Sequence, residues 1–259
     1  PSCFFAFVGT FISAAVVGAI VYGAGQLGLC YPLGGLASLT FGSLISATDP
    51  VTVLAVFKSV GVQPDLFAMV FGESVLNDAV AIVLSRTLLS FNSPDAEVNA
   101  ESIGKACMLF TTIFVGSMLI GGVYGVASAL VYKKLNLRHH DEMIFMEAAL
   151  SMTFPWAAYY TSEAMELSGI VTIMFCGIVM AQYTRNNFSS EAVKLTAQAY
   201  KVVAMIAETY VFVYLGMAAF SFPIFRATGY KLFAVALGAC FVGRLHIYLG
   251  SWLTNCVRK

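Results

Sequence analysis

Eight separate windows of this chain are each apolar over about twenty residues, the length a helix needs to cross a bilayer's hydrocarbon core. They run roughly over Cys3–Gly25, Leu33–Phe57, Leu66–Leu89, Ala106–Tyr132, Met143–Tyr160, Leu167–Tyr183, Val202–Phe222 and Leu232–Val257. Composition removes the soluble alternative. Of 259 residues 59% are hydrophobic and 11% charged, where soluble domains carry about 25% charged residues. That is too little polar material for a water-facing surface. The expected fold is an all-α polytopic membrane protein, with the lipid bilayer as its first partner. Connections are mostly short, and the longest polar one, FNSPDAEVNAES, is a turn-rich loop. Residues 1–259 therefore read as a single transmembrane helical bundle of about eight helices rather than two domains. Net charge is zero, which gives no reason to expect a nucleic-acid partner. Pro1 stands where an initiator Met would, as in a piece of a longer protein.

Loop charge orients the windows, because Lys and Arg mark cytoplasmic loops. With YKKLNLRHH (132–140) inside, Lys58, the Arg185–Lys201 stretch and Arg258–Lys259 also fall inside. The loop holding Asp95, Glu97 and Glu101 falls outside, as does the Glu163–Glu166 loop; only Arg226 and Lys231 break the pattern. Several familiar motifs lose their usual meaning in this setting. The sequon at Asn187 lies in the cytosol and is inert. His139-His140 before Asp141-Glu142 is better explained by loop solvation than by a metal. The G-x-G-x-x-G match at Gly23–Gly28 follows a membrane helix rather than a soluble strand, so no dinucleotide site is expected. Gly121 and Gly125 form a small-xxx-small pair that lets helices approach closely. Six cysteines without CxxC spacing indicate neither a disulfide framework nor a zinc site. No residue set points to a cofactor.

The informative residues are the charges inside the windows. Asp49 lies in SATDPVTV, Glu73 and Asp78 in FGESVLNDAV, Glu208 in IAETYVFVYLG and Arg244 in FVGRLHIY, with Glu147 nearer a cytoplasmic end. Left ionised and unpaired, they would cost on the order of 10 kcal/mol or more. They must pair, protonate, or line a wet cavity. On a helix Glu73 and Asn77 share a face, Asp78 lies about 100° further round, and Ser74 stands four residues before it. This oxygen-rich patch suits a hard cation. Pro50 disfavours helix at Asp49, with Thr48 and Thr52 beside it. A Pro-interrupted helix would expose helix ends at mid-membrane, as discontinuous transporter helices do at an ion site. Arg244 keeps its proton and needs an acid, for which Glu73 and Glu208 both qualify. A structural salt bridge leaves Asp78 as the acid that trades a proton for a metal ion.

SATDPVTVLAVF followed by FGESVLNDAVAIVL resembles the eukaryotic sodium/proton exchangers, a family of monovalent cation/proton antiporters. SGIVTIMFCGIVMAQYT, ETYVFVYLG and GRLHIY resemble later helices of the same family, so the likeness covers nearly the whole chain. ATDPVTVL, FCGIVMAQYTRNNFS and LGMAAFSFP are closer to the intracellular Golgi and endosomal members than to plasma-membrane ones, so the resemblance implies a Golgi or endosomal membrane, with the plasma membrane as the alternative. The resemblance implies a transporter rather than an enzyme, with Na+, K+ and H+ as partners. It implies Asp78 as the carboxylate that alternately binds cation and proton, with Asn77 completing the pair associated with electroneutral exchange. Thr48 and Asp49 at the unwound crossing line the same site, Asp49 joining Asp78 as ligand to the transported ion, and Ser74 assists. Glu73 pairs with Arg244 as a structural bridge, Glu208 is supportive, and Glu163 is linked to inhibitor sensitivity near the outer surface. Family members have about twelve or thirteen helices and form dimers through early helices. Against eight windows, this reads as a partial antiporter bundle, lacking those helices, a second broken helix and a cytosolic tail.

The expected mechanism is alternating access at one site for which cation and proton compete. Two other classes also place acids inside a membrane. An intramembrane aspartyl protease also needs two buried aspartates, but neither Asp49 nor Asp78 sits in Gly-x-Gly-Asp. A non-transporting scaffold or cation-gated sensor would keep the salt bridge and tolerate Asp78→Asn. Sodium against potassium preference depends on cavity size, which residue order does not give.

Overall fold

A computed structural model describes residues 4–47, 56–57, 59–91, 100–136, 143–221 and 229–257. Among them are eight helices and no strand, with helix in every one of the eight apolar windows. After a π turn at Phe5–Gly9 come α1 (Thr10–Gln26), α2 (Gly35–Ser46), α3 (Pro64–Ser90) and α4 (Ala100–Leu135). Then follow α5 (Ile144–Ala164), α6 (Gly169–Val179), α7 (Ser190–Ser221) and α8 (Gly229–Val257). Four helical stretches among the described residues are long and apolar enough to cross a membrane: Ala6–Gln26, Pro64–Ser90, Gly104–Leu135 and Ser190–Ser221. The chain is a multi-pass integral membrane protein. Thr48, Asp49 and Pro50 lie outside the described residues. Helix α2 stops at Ser46, and Ala47 is already extended.

The G-x-G-x-x-G stretch is the end of α1. Gly28 takes φ +70°, and the Leu27 and Leu29 amides donate to the carbonyls of Gly23 and Ala24 at 3.0 Å each. A glycine in that left-handed position is how many helices satisfy their last carbonyls.

Two compact units divide the chain. One comprises Pro1–Phe110 with Ile224–Lys259, the other Thr111–Pro223. In the first, α1 packs against α2 and α8, and α3 against α2. Its apolar centre is Val17, Val21 and Ala239, flanked by Ile20, Phe41, Ile45 and Val235. Lipid tails are as apolar as leucine, so helices associate there through close packing of small residues. The α1–α2 crossing shows it: a Cβ on Gly42 would collide with the Ala14 carbonyl and lie 2.8 Å from the Gly18 amide nitrogen. Replacing Gly42 with Ala should therefore cost about 1–2 kcal/mol of overpacking. A thermal melt in detergent checks this; an unchanged midpoint would mean that the helices part at no cost.

The buried hydroxyls are satisfied locally. Ser43 and Ser46 donate to carbonyls three residues back, at 2.8 and 2.7 Å. Ser85 and Thr87 do so four back, at 2.6 and 2.8 Å. Such back-bonding removes the cost of a hydroxyl in lipid.

In the second unit, one face of α4 carries Ser117, Gly121, Tyr124, Gly125, Ser128 and Tyr132, spaced at helical period. Ser117 Oγ accepts from the Ser168 amide at 2.9 Å. A Cβ on Gly121 would collide with the Thr172 carbonyl, and one on Gly125 with Val179. The small-xxx-small pair thus brings α4 against α6. Tyr124 and Thr161 share a hydrogen bond of 2.8 Å, Ser128 and Thr184 one of 3.1 Å.

Glu147, 1% exposed, sits in the first turn of α5. Its Oε1 accepts from the Ser189 amide at 2.9 Å and its Oε2 from the Ser189 hydroxyl at 2.7 Å. Ser189 Oγ in turn accepts from the Ala192 amide at 3.2 Å. A carboxylate thus sits at the positive end of α7, where the helix dipole favours it. The Tyr132 hydroxyl donates to the Glu147 carbonyl at 2.5 Å.

Candidate functional site

Helix α3 begins at Pro64, whose missing amide proton costs nothing at a first turn, and runs 27 residues to Ser90. It is helical throughout the FGESVLNDAV stretch, so the angular relations expected among Glu73, Ser74, Asn77 and Asp78 hold. Ser74, Asn77, Ala81 and Ser85 occupy one face and are all buried. Ser85 Oγ meets Ser43 Oγ of α2 at 2.8 Å, which identifies that face as the one turned to α2. Glu73 and Asp78 flank it, each half-buried.

Arg244 reaches this region from α8. Its Nη1 lies 3.8 Å from Glu73 Oε1, and its Nη2 donates to the Ser46 carbonyl at 3.0 Å. Glu73 is thus the partner that residue order left undecided against Glu208. The second contact was not foreseen. Ser46 is the last residue of α2, and the final carbonyls of a helix have no intrahelical donor. A cation there also complements the negative end of the helix dipole. One planar guanidinium thus joins three helices: it belongs to α8, closes α2 and faces the acid on α3.

The end of α2, two residues before Thr48, accordingly lies one guanidinium away from the acid-bearing helix. Thr48 and Asp49 themselves lie outside the described residues. The two remaining sequence candidates belong to the second unit. Glu208 is exposed on α7. Glu163 Oε1 accepts from the Gly169 amide at 2.9 Å, which places a carboxylate at the N-terminus of α6 beside the Ser168 cap. Glu163 therefore fastens the turn between α5 and α6.

What residue order missed are contacts to backbone or to distant partners: Ser46 with Arg244, Ser43 with Ser85, Glu147 with Ser189. Only Ser85 left a trace, since it continues the polar row of Ser74 and Asn77 at helical spacing. The patch has oxygen donors for a hard cation, and no cluster of three or more His, Cys, Asp or Glu suited to a metal exists among the described residues.

A family model for the transmembrane region of sodium/hydrogen exchangers matches residues 1–256. The chain is 43% identical over 273 residues to sodium/hydrogen exchanger 9 of Rattus norvegicus, an alignment covering 98% of this chain and 40% of that relative. It is 38% identical over 259 residues to sodium/hydrogen exchanger 5 of Arabidopsis thaliana, covering 98% and 48%. Against sodium/hydrogen exchanger 7 of Homo sapiens it is 37% identical over 268 residues, covering 98% and 36%. The chain spans less than half the length of each of these curated relatives.

Proposed function

Because the chain belongs to the sodium/hydrogen exchanger family, we propose that within its full-length protein it exchanges Na+ or K+ for H+ across a membrane. Exchange is electroneutral and proceeds by alternating access, with Asp78 as the carboxylate that holds either ion. Asn77 and Ser74 support it from α3, and Thr48 and Asp49 from the segment that follows α2. Glu73 and Arg244 form the frame rather than the site, and Glu208 is supportive. Glu163 bears on inhibitor sensitivity by holding the α5–α6 turn. Residues 1–259 supply one transport-domain fragment, and the full-length protein is a homodimer of Golgi or endosomal membranes, where exchange adjusts lumenal pH.

The observation that carries this reading is the double contact of Arg244. It satisfies the charge of Glu73, so that acid is accounted for by structure. It also fixes Ser46, the end of α2, beside the helix that bears Asn77 and Asp78. A carboxylate on α3 with hydroxyl and amide oxygens on the same helix can help strip a small cation of its water.

The test is exchange by the full-length protein in proteoliposomes with an internal pH dye. Adding Na+ or K+ outside should drive protons out, and the initial rate should be the same with and without an imposed membrane potential. A rate that follows the potential would exclude one-for-one exchange.

A further inference from the structure

Two departures from regular helix and one unpartnered hydroxyl in the second unit converge on one cavity. Helix α5 contains Pro155, which cannot donate to the carbonyl of Ser151 four residues back; the Tyr200 hydroxyl donates there instead, at 3.3 Å. Beyond Val179, α6 widens into a π turn over Met180–Thr184, a distortion that recurs at functional sites. On α7, Thr196 is 8% exposed, and its Oγ1 has no hydrogen-bond partner among the described residues. Pro155, Met180, Thr184 and Thr196 all line a cavity of about 410 Å³.

A buried hydroxyl without a partner is destabilising, and a ligand atom is the natural way to satisfy it. The lining is otherwise mainly apolar, with Ile173 and Val193 among its walls, and Arg185 is its one charged residue. Arg185 and Ala181 are exposed, so the cavity opens to the surface. By loop charge that opening faces the cytoplasmic leaflet, where anionic lipids concentrate and basic pockets between membrane helices take their headgroups. We propose that this cavity binds an anionic phospholipid, one acyl chain entering against Ile173, Met180 and Val193 and the phosphate resting on Arg185. A lipid ester oxygen then accepts from the Thr196 hydroxyl. None of the residues of the proposed exchange site takes part, so loss of exchange in an Asp78 variant leaves this site untouched.

Phosphatidylglycerol titrated into the delipidated full-length protein in detergent should raise its thermal midpoint saturably. Phosphatidylcholine should bind at least tenfold more weakly, and inorganic phosphate alone should give no shift. Arg185→Gln should abolish the preference for the anionic lipid. Gly177→Leu should abolish the shift altogether, because Gly177 lines the cavity and a Cβ there meets nothing within 4 Å. The Cβ position itself is open, and a midpoint in lipid-free detergent no lower than wild type confirms that the variant folds. Should Gly177→Leu fold poorly, Arg185→Gln decides the matter alone, since its exposed side chain can be changed without disturbing packing. A wild type that shifts equally with both lipids overturns the proposal. So does an Arg185→Gln protein that keeps the anionic preference.

Discussion

Asp78→Asn should abolish cation-dependent proton flux by the full-length protein, lowering the initial rate at least ~100-fold, or ~2.7 kcal/mol in barrier terms. The substitution preserves volume, shape and a carbonyl oxygen. What it removes is the ability to take up and release a proton, and that is the whole of the coupling when one group serves both ions. Neutralising an acid inside a bilayer does not endanger insertion, so the variant should reach the membrane in normal amounts. Competition adds a second signature in the wild type. A cation needs the deprotonated carboxylate, so its binding displaces the proton and weakens as pH falls. Apparent Na+ affinity should therefore drop towards tenfold per pH unit once the protonated form dominates. An Asn variant that still exchanges Na+ for H+ would remove Asp78 from the site. Another group would then carry the exchange, and Asp78 would belong to the framework.

How much of this was legible in residue order depends on what kind of partner each residue has. Helix existence was legible in every window because burial in lipid demands continuous apolar length. Helix ends were not. Helix α4 starts at Ala100 and α7 at Ser190, well before the apolar windows open at Ala106 and Val202. Their first two turns include the charged residues Lys105, or Glu191 and Lys194, which an apolar window leaves out although the backbone ladder continues through them. At the site, the spacing of Glu73, Ser74, Asn77 and Asp78 was readable because helix geometry alone sets it. The Arg244–Glu73 pairing was narrowed by charge arithmetic and supplied by family likeness. The Ser46 contact could not be read at all, since a backbone carbonyl has no letter in the sequence. Glu147 was read only as an acid near a helix end, because its partner Ser189 is 42 residues away.

Arg244→Met should destabilise the full-length protein by about 2–4 kcal/mol, since it removes two partners at once while keeping most of the side chain's apolar stem. Glu73 loses its counter-ion, and the Ser46 carbonyl loses its donor at the end of α2. The two losses can be separated. In Glu73→Gln alone the carbonyl stays bonded, so only the charge interaction is lost. In the double variant no charge is stranded, but Ser46 still lacks a donor. The double variant should therefore be less destabilised than the sum of the singles, by about 1–2 kcal/mol. It should still fall short of wild type by about 1 kcal/mol, the net worth of one hydrogen bond. Arg244→Lys keeps the charge but offers a compact ammonium in place of the planar fork. It lacks the two separate nitrogens that face the carboxylate and the carbonyl, and should recover only part of the loss. Thermal unfolding in detergent measures all four variants, and strict additivity would show that Arg244 and Glu73 act independently. Exchange assays on the same proteins carry the argument to function. If Arg244 is frame rather than site, its loss should slow exchange in step with the loosened α2 end yet leave the pH dependence of Na+ affinity in place. That pH dependence belongs to Asp78, and only a change there should remove it.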